Sequence, residues 1–272
     1  MKNFQDRVAV ITGAGAGIGR ALALELARNG ARLALSGRSL DNVAETAALC
    51  AEAGGVARPY RLDVTDRAAV YAHAAQVQAD FGNANLLVNN AGVSLTANVD
   101  ELSWEDFEWI VGINFWGVMH GTKAFLPQLI ASGDGHIANV SSMFGLAACP
   151  SQSAYNATKF GIRGFTDALR QEMKIAGHAV GVSSVHPGMI KTGIAWKARA
   201  GAGRDRDALA ANFDRLAKTS PESAAKTMLK GIRKDRAQIL IGADARFIAL
   251  LPRLFGPGYQ KIITAQMKKE VA

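Results

Sequence analysis

Val8-Ala9-Val10-Ile11-Thr12-Gly13-Ala14-Gly15-Ala16-Gly17-Ile18-Gly19 stands near the start of the chain, and Ala21-Leu-Ala-Leu-Glu-Leu-Ala-Arg28 follows it closely. The first four residues are an unbroken apolar run, the pattern of a strand buried on both faces. The last eight suit a helix, which Asn29-Gly30 stops. Between the two, glycine permits a tight turn and close backbone approach, while the helix N-terminus presents unpaired N–H groups to an anion. Strand, glycine-rich turn and helix in that order point to a dinucleotide pyrophosphate held by Gly13, Gly17, Ile18 and Gly19. A glycine-rich turn alone says less, since strand–helix turns use glycine for backbone reasons too.

The alternation continues along the chain. Further strands are expected at residues 32–36, 58–62, 86–88, 135–140, 180–185 and 239–241. Helices are expected at 40–53, 67–81, 104–130 and 155–175, with Pro127 as a kink or end of the third. Apolar strands spaced by helices make a parallel sheet covered on both sides. The expected fold is therefore α/β: a doubly wound, Rossmann-like parallel sheet of about seven strands in a single domain over residues 1–272. Ligands belong at the carboxyl ends of its strands. Residues 189–220 read as a substrate lid. Its stretch 197–206 is polar, aperiodic and mobile, and leads to a short helix near 209–216. Residues 243–272 read as an amphipathic tail of two helices, split at Leu251-Pro252 and Gly256-Pro257-Gly258. Tyr259, Ile262, Ile263 and Met267 form its apolar stripe, with Lys261, Lys268 and Lys269 off it.

The net charge of +8 would suit a nucleic-acid or acidic-membrane partner, but its distribution argues otherwise. Residues 1–190 carry 14 Lys/Arg against 16 Asp/Glu, and residues 191–272 carry 17 against 7. The excess therefore belongs wholly to the last third of the chain, which contains the lid and tail. No basic–aromatic interleaving marks a nucleic-acid module. For the tail, subunit packing or pocket closure leads over peripheral membrane contact and over a solvated end. The lid's basic residues would also attract an anionic substrate. Two cysteines, Cys50 and Cys149, without metal spacing suit a reducing cytoplasm. The first apolar run is too short for a secretory segment, and membrane association through the tail stays open. His73, His120, His136, His178 and His186 share no ligand spacing, so no metal is expected. Trp104, Trp109 and Trp116 suit packing better than a ligand box.

Where an acidic side chain would meet the 2′-hydroxyl of NAD, at the end of the second strand, the chain reads Ser36-Gly37-Arg38. Arg38 suits a 2′-phosphate, which favours NADP(H) over NAD(H). Tyr155 and Lys159 stand at i, i+4, one face of a helix, where an ammonium lowers the phenol pKa. Ser141-Ser142 ends the fifth strand, and such pairs are more often turn or cap residues.

In order, Thr12-Gly-x-x-x-Gly17-Ile-Gly19, Asp63-Val64, Asn89-Asn-Ala-Gly92, Asn114, Ser142, Tyr155-x-x-x-Lys159 and Pro187-Gly188 with Thr192 resemble the short-chain dehydrogenase/reductase superfamily, in its compact single-domain branch. The resemblance covers roughly residues 5–192. It implies a catalytic set of Asn114, Ser142, Tyr155 and Lys159, in which Tyr155 exchanges the proton and Ser142 holds the substrate oxygen. Lys159 would lower the Tyr155 pKa and bind the nicotinamide ribose, and Asn114 would hold a helix irregularity and a relay water. It further implies that Asp63, with Val64, touches the adenine, and that Asn90, Ala91 and Gly92 line the adenosine side. Pro187, Gly188, Ile190 and Thr192 would fix the carboxamide. A homodimer or homotetramer is the expected assembly.

The reading is an NADP(H)-dependent oxidoreductase interconverting a carbonyl and an alcohol on a lipophilic small molecule. The alternatives are an NAD-dependent alcohol dehydrogenase of the same fold, or a cofactor-sensing protein without turnover.

Overall fold

A computed structural model describes the backbone of residues 1–271 and the side chains of residues 1–267. Lys268 and Lys269 of the expected tail lie outside the described side chains. In chain order the elements are β1 (Val8–Thr12), α1 (Gly17–Arg28), β2 (Arg32–Gly37), α2 (Leu40–Glu52), β3 (Val56–Arg61), α3 (Arg67–Phe81), β4 (Leu86–Asn89), β5 (Leu95–Thr96) and α4 (Trp104–Val111). They continue with α5 (Gly117–Ala131), β6 (Gly135–Val140), α6 (Ser153–Ile175), β7 (Val180–Pro187), β8 (Arg199–Ala200), α7 (Arg206–Leu216), α8 (Pro221–Arg233), β9 (Gln238–Ile241), α9 (Ala243–Phe255) and α10 (Tyr259–Val271).

Seven strands form one parallel sheet in the order β3-β2-β1-β4-β6-β7-β9. The chain leaves β1 in one direction to β2 and β3 and returns on the other side of β1 to β4. That reversal opens a crevice at the carboxyl ends of β1 and β4. One face of the sheet packs on α1, α2 and α8 through residues such as Leu22, Leu26, Val43, Met228 and Ile232. The other packs on α3, α5 and α6 through Val70, Val77, Phe125, Leu129 and Leu169. Rossmann-like architecture with helices on both faces is what the sequence predicts.

The differences have local causes. β3 starts two residues early and ends one residue early, because as an edge strand with Pro59 inside it has no buried face to set an apolar pattern. Pro127 does not end α5, which runs on to Ala131 with the proline near its last turn. Pro252 likewise sits inside α9, so only Gly256-Pro257-Gly258 divides the tail. α8 is absent from the sequence expectations, although Ser220 caps it by accepting from the Ser223 N–H at 3.2 Å and Pro221 occupies its first turn. The stretch 197–206 is not a free loop: β8 pairs in parallel with β5.

Three histidines are buried inside this frame and hold no charge. Burial lowers the pKa of His73 to about 4, of His136 to about 3 and of His186 to about 4. The His186 Nδ1–H donates to the Ser142 carbonyl at 2.8 Å, leaving Nε2 to accept from the Ser184 hydroxyl at 2.8 Å. Since each folded pKa lies below the unfolded value, the unfolded chain takes up protons first as pH falls. Stability should therefore decline from about pH 6.5 towards about pH 4, each histidine contributing up to about 1.4 kcal/mol per pH unit. Urea midpoints measured across that window check this, and a flat midpoint would refute it.

Candidate active site

The glycine turn takes the conformation its residues permit. Gly13 and Gly17 have φ of +66° and +54°, and a Cβ on Gly13 would stand 2.9 Å from the Ala91 Cα. Thr12 Oγ1 accepts the N–H bonds of Asn90 and Ala91, both at 3.0 Å. The Asn90 amide donates to the carbonyls of Thr12 and Gly13 at 3.0 and 3.2 Å. Asn90 thus braces the turn, while Ala91 and Gly92 line the cleft beside it. α1 begins with no side-chain cap and no acidic residue in its first turn, so its N-terminal N–H groups remain open to an anion. Arg38, Asp63 and Val64 line the same cleft. The Asp63 carboxylate accepts from the N–H and hydroxyl of Thr65 at 2.9 and 2.8 Å. Among the described residues, Arg38 has no carboxylate partner. Ile18 instead packs against the core. An uncapped helix end, glycines with no room for a side chain and an unpaired arginine fit a phosphate-bearing dinucleotide.

Three elements bring the expected catalytic set together. Ser142 follows β6 and Tyr155 and Lys159 lie on α6, while Asn114 sits in a π-helical segment, Gly112–Trp116, between α4 and α5. The expected helix irregularity is there. Asn114 clamps Val93, with Oδ1 accepting its N–H at 2.8 Å and Nδ2 donating to its carbonyl at 2.9 Å. Ser141 and Ser142 divide their tasks: the Ser141 hydroxyl donates to the Lys159 carbonyl at 2.8 Å, and Ser142 faces Tyr155. Burial raises the Tyr155 pKa, and the hydrogen bond with Ser142 opposes that rise. Burial lowers the Lys159 pKa to about 8. The Lys159 ammonium donates to the Val140 carbonyl at 3.1 Å and lies 5.4 Å from the Tyr155 ring centroid.

The match to known proteins is as broad as the geometry suggests. The family model described as short chain dehydrogenase matches residues 7–203. The chain belongs to the short-chain dehydrogenase/reductase family. It is 51% identical over 270 residues to the Mycobacterium tuberculosis protein named "Putative oxidoreductase SadH", covering 99% of this chain and 98% of that one. A Burkholderia phymatum short-chain dehydrogenase/reductase solved in complex with NAD superposes with a TM-score of 0.86 at 33% identity, over 93% of this chain and 95% of that one. An alcohol dehydrogenase from the archaeon Thermococcus sibiricus, complexed with 5-hydroxy-NADP, gives 0.74 at 29% identity, over 86% and 95%. This short-chain dehydrogenase is an oxidoreductase with a nicotinamide-dinucleotide fold.

Other residues of the dehydrogenase site come from its C-terminal third. Gly188 and Ile190 follow β7; Ile190 is buried, and the Thr192 side chain lies against Gly17 of the turn. Asp244, at the start of α9, accepts the Met189 N–H at 2.7 Å and fills the space a side chain on Gly188 would take. Sequence reading misses Asp244, and it offers Lys197 only among the lid's basic residues as an attractor of an anionic substrate, not as a residue lining the cleft with Arg38. Both act across long sequence separations, and no local spacing announces them. The lid's Arg199 and Arg204 face Asp106 and Glu101, which removes them as attractors of an anionic substrate. In the tail, the Tyr259 hydroxyl accepts the Ala148 N–H at 3.1 Å, and Ile263 shares a cavity with Phe160. That half of the expected stripe packs on the body. No group of three His, Cys, Asp or Glu side chains among the described residues is placed to hold a metal ion, and no described helix is long and apolar enough to cross a membrane.

Proposed function

We propose that this dehydrogenase interconverts a carbonyl and an alcohol on an apolar small molecule, with NADP(H) as its preferred cofactor. The observation that carries the reaction is the meeting of Ser142, Tyr155, Lys159 and Asn114 from separate elements at the carboxyl end of β6. The cofactor supplies hydride in reduction and accepts it in oxidation. Tyr155 donates a proton to the oxygen on which charge develops, and takes one from the alcohol in the reverse direction. The Ser142 hydroxyl donates to the same oxygen and holds it beside the phenol. Lys159 supplies the neighbouring positive charge that eases phenol ionisation against the burial that resists it. Asn114 fixes Val93, which packs on the same apolar cluster as Tyr155. Phe144 meets the Tyr155 ring edge-on at 6.5 Å, and Leu95, Ile110 and Phe107 cluster with Tyr155 and Val93. Those apolar surroundings support an apolar substrate.

The cofactor preference rests on Gly37-Arg38 at the end of β2, where the chain places no acidic residue and a guanidinium without a carboxylate partner among the described residues suits a 2′-phosphate. The NAD complex of the Burkholderia relative makes NAD the alternative. Tyr155→Phe should lower carbonyl reduction by about a hundredfold or more while NADPH still binds. Retained turnover would refute the assigned chemistry, and a wild-type protein that binds cofactor without turnover would favour the sensing alternative. Arg38→Ala should weaken NADPH binding roughly tenfold and leave NADH binding nearly unchanged. Equal loss for both would remove the NADP preference.

For the assembly, the exposed Trp116 and Phe160 on the α5 and α6 side support contact with further copies of the chain. For the tail, we propose that α9, rather than the Tyr259 stripe, meets anionic lipid. Phe247, Leu250 and Leu254 form an exposed row at i, i+3, i+7, with the exposed Arg246 and Arg253 beside it. Co-sedimentation with phosphatidylglycerol vesicles should be salt-sensitive and should be lost in the triple variant Phe247→Ser, Leu250→Ser, Leu254→Ser. No sedimentation by the wild-type chain, or a loss of self-association in the variant, would reassign the row to a second copy.

A further inference from the structure

We infer that Lys197 is a ligand for a phosphate of the bound cofactor, and that Arg199 and Arg204 are positioning residues that hold the lid so that Lys197 reaches it. The inference rests on the dinucleotide reading above.

The segment 196–206 carries four basic side chains, and three of them are occupied. Arg199 Nη1 lies 2.8 Å from Asp106 Oδ1 and 3.5 Å from Glu105 Oε1, and its guanidinium sits 4.3 Å over the Trp109 ring. Arg204 pairs with Glu101, with Nη2 3.1 Å from Oε1, and the same nitrogen donates to the Ser151 hydroxyl at 3.3 Å. This hydrogen bond holds the Glu101 carboxyl below its usual range. Arg206 pairs with its neighbour Asp207 at 3.2 Å. Lys197 alone has no acceptor among the described residues, and it lines the cleft that Gly15, Ala16 and Arg38 line from other elements.

The backbone on either side of Lys197 is fixed. Before it, the Trp196 indole N–H donates to Asp214 of α7 at 2.6 Å. After it, the Arg199 N–H donates to the Ser94 carbonyl at 3.2 Å, and the Gly201 N–H to the Thr96 carbonyl at 2.9 Å. The pairing of β8 with β5 therefore ties the lid to the strand that follows Gly92 and Val93, which themselves line the cleft. Lys197 thus stands between an anchored indole one residue upstream and a backbone pairing two residues downstream. An ammonium on a flexible stem above an uncapped helix end is suited to a phosphate oxygen. The carboxylate in the cleft's lining, Asp63, already accepts two bonds from Thr65.

Two phosphates of one cofactor have this chemistry: the pyrophosphate, common to both dinucleotides, and the 2′-phosphate, found only on NADPH. Fluorescence titration of the full chain with NADPH and with NADH separates them. Lys197→Gln should weaken binding by roughly tenfold, and Lys197→Arg should restore most of it. Loss with both dinucleotides assigns the pyrophosphate, and loss with NADPH alone assigns the 2′-phosphate. Arg199→Gln and Arg204→Gln should each weaken binding by a smaller factor, and neither should weaken it further on the Lys197→Gln background. A merely structural lid would give additive losses in that cycle, which would overturn the positioning role. Unchanged affinity for both dinucleotides in Lys197→Gln would overturn the ligand role. A wild-type chain that binds neither dinucleotide would instead bring down the dinucleotide reading, and this inference with it.

Discussion

The Thr12 hydroxyl is the junction on which the cleft depends. It lies at the end of β1, where the sheet reverses its winding, and it accepts the two successive N–H groups of Asn90 and Ala91 at the end of β4. Asn90 returns two bonds to the turn that Thr12 begins. Four hydrogen bonds thus hold two adjacent strand ends at a fixed spacing, although their loops turn in opposite directions. Below them, the Asn89 amide donates to Asn139 Oδ1 at 2.8 Å, and Asn139 donates to the Thr166 hydroxyl at 3.0 Å. This second, buried layer ties β4 and β6 to α6, the helix that carries Tyr155 and Lys159. A buried polar network is favourable only when its members are paired in one geometry, so it favours a single register. The cofactor cleft and the helix of the proton-transfer group are thus held by two layers of hydrogen bonds that meet at the neighbouring residues Asn89 and Asn90.

That dependence explains what was legible in the sequence. Thr12, Asn89, Asn90, Ser142, Tyr155 and Lys159 act within turns, strand ends and one helix face, where chemistry and spacing are visible together. The strands could be read because both faces of most are buried, and β3 is the exception because neither face is. The π-helical segment carries no local composition signal; Asn114 was found through its place in an ordered motif set. α8 was missed although its cap and its apolar face at Ala224, Ala225, Met228 and Ile232 are written in the chain. Asp244 and Lys197 are a different matter. Asp244 meets the Met189 N–H, and Lys197 reaches the cleft, only through the folding of the segments that follow β7, and an isolated aspartate or lysine has no periodicity.

The charge asymmetry is sharpened in the same way. The last 82 residues hold the positive excess, and the acidic residues that answer part of it, Glu101, Glu105 and Asp106, lie in the body. The lid is thus attached to the body by charge of opposite sign. This uses up the arginines that composition alone would have offered to an anionic ligand. Among the described residues, Arg38 and Lys197 are the basic side chains of the cleft that remain without a carboxylate, and they line it together with Gly15 and Ala16 before the uncapped start of α1.

The site therefore contains two electrostatic regimes with different sensitivities. Around Tyr155 the groups are buried: burial raises the phenol, lowers Lys159 to about 8 and keeps His186 neutral beneath Ser142. Interactions there are little screened, because the surrounding protein excludes mobile ions. At the rim, Arg199 and Arg204 meet carboxylates in partly exposed pairs, which added salt weakens. Ionic strength should then act on how the lid presents Lys197 to the cofactor before it acts on the proton transfer. A dehydrogenase built this way separates the tuning of cofactor affinity from the tuning of its acid–base step. The two sets meet along the short stretch from Val93 to Thr96, where Asn114 holds Val93 and the lid strand pairs with Leu95 and Thr96.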